Sequence, residues 1–287
     1  MRIFVAGGTG VIGRRVVPAL IAAGHELVVL ARNPQRAAGA AALGAQIVQG
    51  DALDAGTVKQ LVAGAAPDLI MHQLTDLSER STQANARLRL DGTRNLFDAA
   101  LAADVGAIVL QSIAWAYAAG SGPATEHEPL DLATTDPQRR FTVAAIAIME
   151  DTAAEIDRCV LLRNGLFYGP DSWYAPGAAM AEAAHAGALR RGPDITSFVH
   201  VDDAAAAAAQ SVDWPAGAYN VVDDEPVAAD EWVPAFCAAV GAPAPAERDP
   251  DGQAWARGAS NARARERGWS PAYPSWRVGF ASGLAAA

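Results

Sequence analysis

Apolar residues along the chain gather in short continuous runs at positions 3–6, 27–30, 47–49, 69–72, 108–111 and 160–163, separated by longer alanine-rich stretches. A strand that is apolar at successive positions, not at alternate ones, is covered on both faces, as in a parallel sheet. Segments long enough for helices lie between the runs, and right-handed crossovers then give an α/β fold with a doubly wound parallel sheet. Ligands of such sheets sit beyond the carboxyl ends of the strands. That rule collects residues 7–13, 31–32, 50–51, 72–75, 112–117 and 164–170 on one rim.

The first strand runs into Gly7-Gly8-Thr9-Gly10-Val11-Ile12-Gly13, and a helical pattern with Val16 and Val17 comes next. Glycine is needed where backbone must turn with positive φ or approach a ligand without a Cβ, and the first helical turn offers unpaired N–H groups to a diphosphate. Strand, glycine spacing and helix together make Gly7, Thr9, Gly10, Val11, Ile12 and Gly13 a candidate dinucleotide site. Residues 1–164 therefore read as a dinucleotide-binding Rossmann domain. Beyond them proline and glycine become frequent, so residues 165–287 read as a smaller C-terminal substrate-binding lobe, with roughly 195–222 returning to the main sheet. The alanine run 204–209 comes after Asp202-Asp203 and reads as a helix with an acidic first turn.

Of 287 residues, 51% are hydrophobic and 19% charged, enough apolar residues for a large core. With 22 basic and 32 acidic residues the net charge is −10, which argues against nucleic acid or an anionic membrane as partner. Cys159 and Cys237 belong to no metal or redox motif and read as buried thiols. The N-terminal residues read as a strand in place of a leader, and no apolar run reaches membrane-spanning length; a cytoplasmic protein is expected. No metal-ligand spacing occurs: Glu126-His127-Glu128 reads as an exposed loop run, Asp223-Asp224-Glu225 as a solvated turn, and His25, His127 and His185 as surface or packing residues.

Five motifs extend the pattern: the glycine loop, Gly50-Asp51, Asp91-Gly92-Thr93-Arg94-Asn95-Leu96, Asn164-Gly165-Leu166-Phe167-Tyr168-Gly169-Pro170 and Phe198-Val199-His200-Val201-Asp202-Asp203. In this order the chain resembles, nearly end to end, the extended or atypical short-chain dehydrogenase/reductase superfamily of nucleotide-sugar epimerase-like proteins. The resemblance implies that Asp51, with Ala52 beside it, meets adenine. It also implies that His72, Gln73 and Leu74 pass the ribose and nicotinamide, and that the stretch from Asn164 to Tyr168 lines nicotinamide and substrate. Relatives often pair through their fourth and fifth helices, so a homodimer is an open expectation.

Members of that superfamily use a tyrosine acid with a lysine four residues later, plus a serine on the substrate oxygen. This chain has one lysine, Lys59, and Ala55 stands four residues before it, so the motif is absent. The expected helix carries Phe141-Thr142-Val143-Ala144-Ala145, and phenylalanine moves no proton. Ser112, Tyr117 and Tyr168 remain on the rim as catalytic candidates, each with packing as the competing role; His72 and His200 are weaker ones. Because a positioned acid contributes about 10² to 10⁴ in rate, its loss need not silence hydride transfer, which also draws on orientation.

The second strand ends in Ala31-Arg32-Asn33-Pro34, where NAD-preferring proteins carry Asp or Glu. Arg32 can meet a 2′-phosphate with charge-assisted hydrogen bonds; Arg36 and Arg14 either add to it or lie on solvated helix faces. NADP(H) is therefore favoured, with NAD(H) the other choice. On the fourth helix Arg89 stands where many relatives have asparagine; it either faces inward to bind a carboxylate or phosphate, or joins a surface ion pair. Trp173, Tyr174, Trp255, Trp269 and Trp276 suggest a pocket for a ring, with Trp173 and Tyr174 nearest substrate. The expected function is an NADP(H)-dependent reductase of a small carbonyl, quinone-like or polyketide-like molecule with a non-standard proton donor. The alternatives are a silent dinucleotide-binding regulator or scaffold, and a non-redox isomerase or cyclase.

Overall fold

The six apolar runs become strands whose ends lie within two residues of expectation: β1 (Arg2–Ala6), β2 (Glu26–Ala31), β3 (Gln46–Gln49), β4 (Leu69–His72), β5 (Ala107–Ile113) and β6 (Arg158–Asn164). The computed structural model describes residues 1–75 and 82–284. Among them lie five further short strands, β7 (Leu166–Tyr168), β8 (Ile195–Thr196), β9 (Phe198–His200), β10 (Gly217–Val221) and β11 (Val227–Ala228). Two-stranded pairs form between β7 and β9 and between β8 and β11, while β10 joins the main sheet, whose seven strands run in the order β10-β6-β5-β4-β1-β2-β3. Of the segment 195–222 only β10 is a strand of that sheet.

Parallel pairing sets Ala6 of β1 beside Leu30 of β2 on one side and His72 of β4 on the other. The chain runs outward through β1, β2 and β3 and returns to β4 on the opposite side of β1, so the carboxyl end of β1 is the topological switch point. Helices α1 (Gly13–Ala22), α2 (Ala38–Ala42), α3 (Ala55–Ala65), α4 (Thr82–Arg87), α5 (Thr93–Ala102) and α6 (Pro137–Asp151) fill the crossovers. Leu88–Gly92, between α4 and α5, forms a single π turn.

The chain divides into two compact units that interleave along the sequence: Met1–Ser112 with Thr134–Leu162 and Ala208–Ala218, and Ile113–Ala133 with Arg163–Ala207 and Tyr219–Ala287. A single cut at residue 164 would put Ile113–Ala133 and Ala208–Ala218 with the wrong partners. In the first unit Phe4, Val28, Ile70 and Ile108 of the sheet bury against Val58 and Val62 of α3 and Leu96 and Phe97 of α5. Each such side chain contributes roughly 1.5 to 3 kcal/mol on leaving water. The second unit has an aromatic core, Tyr168, Tyr174, Phe198, Trp232, Phe236, Trp276 and Phe280, whose rings meet largely edge to face. It also carries α7 (Ala179–His185), α8 (Val201–Gln210, most of its length), α9 (Ala229–Ala239), α10 (Ala262–Glu266) and α11 (Trp276–Ser282). The acidic first turn of α8, Asp202 and Asp203, is as expected.

Candidate functional site

Gly7 leaves β1 with φ of +93°, in the region that favours glycine. A Cβ there would lie 2.4 Å from the Gln73 carbonyl oxygen, and a Cβ on Gly13 would lie 2.0 Å from the Gly7 oxygen. Those two glycines are dictated by the packing of backbone on backbone. Gly10 differs: it is exposed, and its Cβ would meet only the Gly7 oxygen, at 3.3 Å. Ile12 is buried and anchors the loop, while Thr9 and Val11 are half-buried. Helix α1 begins without a side-chain cap and without an acidic residue in its first turn. Its positive end thus meets no anionic side chain from its own first turn, and the cradle fits a diphosphate.

The end of β4 closes one side of the cradle. The Gln73 amide donates to the Ala6 carbonyl at 2.8 Å, and the Gln73 side-chain Oε1 is buried without a hydrogen-bond partner among the described residues. His72 is buried, its Nδ1 accepts from the Leu74 amide at 3.3 Å, and its Nε2 lies 2.9 Å from Thr93 Oγ1. Burial pushes its pKa down to about 4, so the ring is neutral and both nitrogens are engaged. His72 is a strut between β4 and α5, not a proton carrier. Leu74 packs on the core of its unit.

Asp51 accepts from the Leu53 amide at 3.0 Å, a local turn that sets the loop after β3. Ala52 is buried, and its carbonyl accepts from Asn95 Nδ2 at 2.9 Å, which ties that loop to α5. This explains why asparagine stands three residues beyond Gly92. Arg32 and Arg36 are exposed, and no carboxylate pairs with either among the described residues; Asn33 between them caps the short helix Pro34–Ala37 through the Gln35 amide at 2.9 Å. Arg14 is exposed at the start of α1.

Ser112, at the end of β5, is buried and donates to Glu150 Oε1 of α6 at 2.5 Å. Its proton is committed to a carboxylate. Phe141 projects from the same helix at 50% exposure, and Ala145 is buried.

The two tyrosine candidates, for which packing is the competing role, are both buried. Tyr117 is buried, donates to Asn220 Oδ1 at 2.7 Å and accepts from Arg163 Nη1 at 2.9 Å, with the guanidinium 4.9 Å above its ring. Asn220 Nδ2 in turn reaches the carbonyls of Ala124 and Ser260, and its amide donates to Glu126 Oε1 at 2.7 Å. Tyr168 is fully buried among Phe198, His200 and Phe280, and its hydroxyl has no partner among the described residues; burial raises its pKa strongly. Asn164 is buried at the end of β6. His200 holds the Gly283 carbonyl at 2.9 Å, accepts from the Asp202 amide at 3.2 Å and stacks on Tyr273.

The acidic runs are also not the solvated loops expected. Glu126 serves Asn220, and Glu128 pairs with buried Arg257. Asp223 is buried, receives the amides of Glu225 at 3.3 Å and Trp276 at 2.8 Å, and burial raises its pKa to about 8. Asp224 pairs with Arg265 at 2.7 Å, and Glu225 binds Arg277 at 2.7 Å. Trp173 is 42% exposed, whereas Tyr174, Trp269 and Trp276 are core residues. Arg87 forms a surface pair, 3.5 Å from Asp91. Arg89, for which a surface pair is one of two expectations, has none among the described residues; it is half-buried, and desolvation lowers its pKa to about 10. Among the described residues no group of three ligand-type side chains gathers at a metal-sized site, and no helix is long and apolar enough to cross a membrane.

A family model described as NAD dependent epimerase/dehydratase family matches residues 3–221. The chain is 41% identical over 305 aligned positions to a 3-diazoavenalumate denitrifying reductase from Streptomyces sp, spanning 98% of this chain and 99% of that protein. It is 33% identical over 168 positions to a 4-hydroxy-2-methyl-3-oxo-4-farnesyl-3,4-dihydroquinoline-1-oxide ketoreductase from Stigmatella aurantiaca, spanning 58% of this chain and 46% of that protein. Among solved structures, a Thermus thermophilus UDP-glucose 4-epimerase complex with NAD superposes with TM-score 0.74 at 22% identity, covering 99% of this chain and 98% of that one. The Streptomyces venezuelae dTDP-glucose 4,6-dehydratase DesIV with NAD and TYD bound gives 0.76 at 22%, covering 99% and 96%. At such identities these two structures establish the fold.

Proposed function

Since the chain belongs to the NAD-dependent epimerase/dehydratase family, we propose that it is an NADP(H)-dependent reductase that replaces the diazo group of an aryl carboxylate by hydride and releases dinitrogen. The observation that carries this reading is the nearly full-length likeness, at 41% identity, to a reductase named for denitrifying a diazo carboxylate. The missing tyrosine and lysine support it on chemical grounds. Carbonyl reduction generates an alkoxide that a positioned acid must protonate. Loss of dinitrogen from an arenediazonium leaves no oxyanion, and an arenediazonium, unlike an alkyl diazo group, needs no prior protonation to carry its leaving group. A chain whose Phe141 replaces the acid and whose Tyr117 and Tyr168 are enclosed suits that reaction.

The dinucleotide, when bound, supplies the hydride: its electron pair forms the new C–H bond, the C–N bond breaks with its pair leaving on N2, and the nicotinamide ends oxidised. The protein's own work is binding and orientation. Gly7, Thr9, Gly10, Val11, Ile12 and Gly13 hold the diphosphate, Asp51 and Ala52 border the adenine, and Arg32 with Arg36 meets a 2′-phosphate. His72, Gln73 and Leu74 flank the ribose and nicotinamide, Gln73 offering its partnerless Oε1. Ser112, its proton engaged by Glu150, presents only lone pairs.

The test is anaerobic incubation of purified protein with NADPH and diazotised aminohydroxycinnamates, following absorbance loss at the nicotinamide band and N2 in the headspace. One N2 per NADPH is expected. Oxidation of NADPH by ketones but not by diazoarenes would overturn the reading in favour of a ketoreductase, the alternative raised by the Stigmatella relative. Tight NADPH binding without oxidation by either would leave a silent dinucleotide-binding regulator.

A further inference from the structure

The helical segment running from α4 into α5 is broken by the π turn Leu88–Gly92. A π turn inserts one residue, rotating the helix beyond it by about 100° relative to an unbroken one, and such turns recur at functional positions. Around it the polar side chains sort themselves. Arg87 and Asp91 pair with each other, both more than half exposed, so that carboxylate is spent at the surface. Leu88 packs on the core, and a Cβ on Gly92 would lie 2.9 Å from Leu88 Cδ1. Arg89 is left half-buried, and among the described residues its guanidinium has neither a carboxylate nor a hydrogen-bond partner.

A desolvated cation without a counter-charge is costly, and proteins retain one where a ligand supplies the charge. Desolvation lowers its pKa, and among the described residues no acidic neighbour opposes that shift. Buried arginines of the second unit's polar clusters, by contrast, have partners, as Arg163 has Tyr117 and Arg257 has Glu128. We propose that Arg89 is the anchor for the carboxylate of the substrate, which it takes as a planar, two-pronged ion pair. This assignment rests on the substrate class proposed above. Two anions are available to such a guanidinium, the carboxylate of an aryl acid and a phosphate of the dinucleotide. The cradle and the exposed Arg32 and Arg36 already provide for the phosphates, which leaves the carboxylate for Arg89.

The experiment needs no turnover. Protein saturated with NADP+ is titrated with 4-hydroxycinnamate and with its methyl ester by tryptophan fluorescence, for the native chain, Arg89→Gln and Arg89→Lys. The native protein is expected to bind the acid roughly 10- to 100-fold more tightly than the ester, Arg89→Gln to bring that ratio near one, and Arg89→Lys to keep an intermediate ratio. NADP+ affinity stays the same in all three. Thermal unfolding of Arg89→Gln without ligand is expected at the native temperature or above, because an uncompensated charge has been removed; a marked fall would make Arg89 a structural residue and overturn the proposal. An acid-to-ester preference that survives in Arg89→Gln overturns the role of Arg89 alone. Weaker NADP+ binding in that variant assigns the guanidinium to a cofactor phosphate instead. If the native protein binds neither acid nor ester, the aryl carboxylate class itself falls, and the proposal with it.

Discussion

The two compact units differ in where their polar groups without partners lie. In the first, the start of α1 has no side-chain cap, and the exposed Arg32 and Arg36, the buried Oε1 of Gln73 and the guanidinium of Arg89 are left without protein partners among the described residues. In the second, many groups are paired, Tyr117 with Asn220 and Arg163, His200 with Gly283, Asp203 with the amides of Ala272 and Tyr273, and Asp223 with Trp276. The hydroxyl of Tyr168 and the indole N–H groups of Trp232 and Trp276, without partners among the described residues, are enclosed in an aromatic core. What sets the first unit's groups apart is position: the start of α1, Arg32 and Gln73 follow β1, β2 and β4, at the carboxyl ends where parallel sheets bind their ligands. The interlocked groups of the second unit hold its aromatic core and its loops together.

The contrast can be broken at several points. The largest effect is expected from Gly13→Ala, whose new Cβ has no room beside the Gly7 oxygen at 2.0 Å. It should weaken NADPH binding more than about 100-fold, read by nucleotide fluorescence, with a fall in stability from the displaced loop. Arg32→Gln removes a charge-assisted contact worth about 1.5 to 3 kcal/mol, so the ratio of NADPH to NADH affinity should drop about tenfold to a hundredfold. Tyr117→Phe strands the amide oxygen of Asn220 and should cost about 1 to 3 kcal/mol in urea unfolding. Turnover per folded molecule should stay within about twofold; a loss of about 10² or more would restore Tyr117 as a proton donor.

A gentler probe is pH. With its folded pKa raised to about 8 and an unfolded value near 4, Asp223 contributes its full share of stability below about pH 4 and loses it as pH rises toward 8. Over that window the unfolded chain is ionised while burial resists ionisation of the folded one. Asp223→Asn should flatten the decline in unfolding temperature between about pH 5 and 8, and an unchanged slope would show that Asp223 is more hydrated than its burial implies.

Much of the first unit was legible in the sequence because its determinants are local. Doubly covered strands read as continuous apolar runs, and the spacing of Gly7, Gly10 and Gly13 between strand and helix announced the cradle. The second unit hid its logic in long-range pairing. Tyr117 meets Asn220 103 positions away, and Glu126 meets it 94 positions away; nothing near either residue signals the partner. Asp223-Asp224-Glu225 looks like a polar turn by composition, yet Trp276, Arg265 and Arg277 arrive from downstream to enclose it. The π turn is likewise invisible, since Leu88-Arg89-Leu90-Asp91-Gly92 fits an ordinary helix until tertiary packing decides otherwise.

The central claim, hydride transfer by a chain that supplies no proton, is tested most directly by isotopic origin. Reaction of a diazotised aryl carboxylate with nicotinamide-4-deuterated NADPH in ordinary water, and with unlabelled NADPH in deuterium oxide, locates the source of the new hydrogen. One deuterium from the coenzyme and none from solvent, at the carbon that carried nitrogen, is the expected result. Solvent deuterium at that carbon, or a labelled carbinol from a ketone as the sole product, would contradict the account.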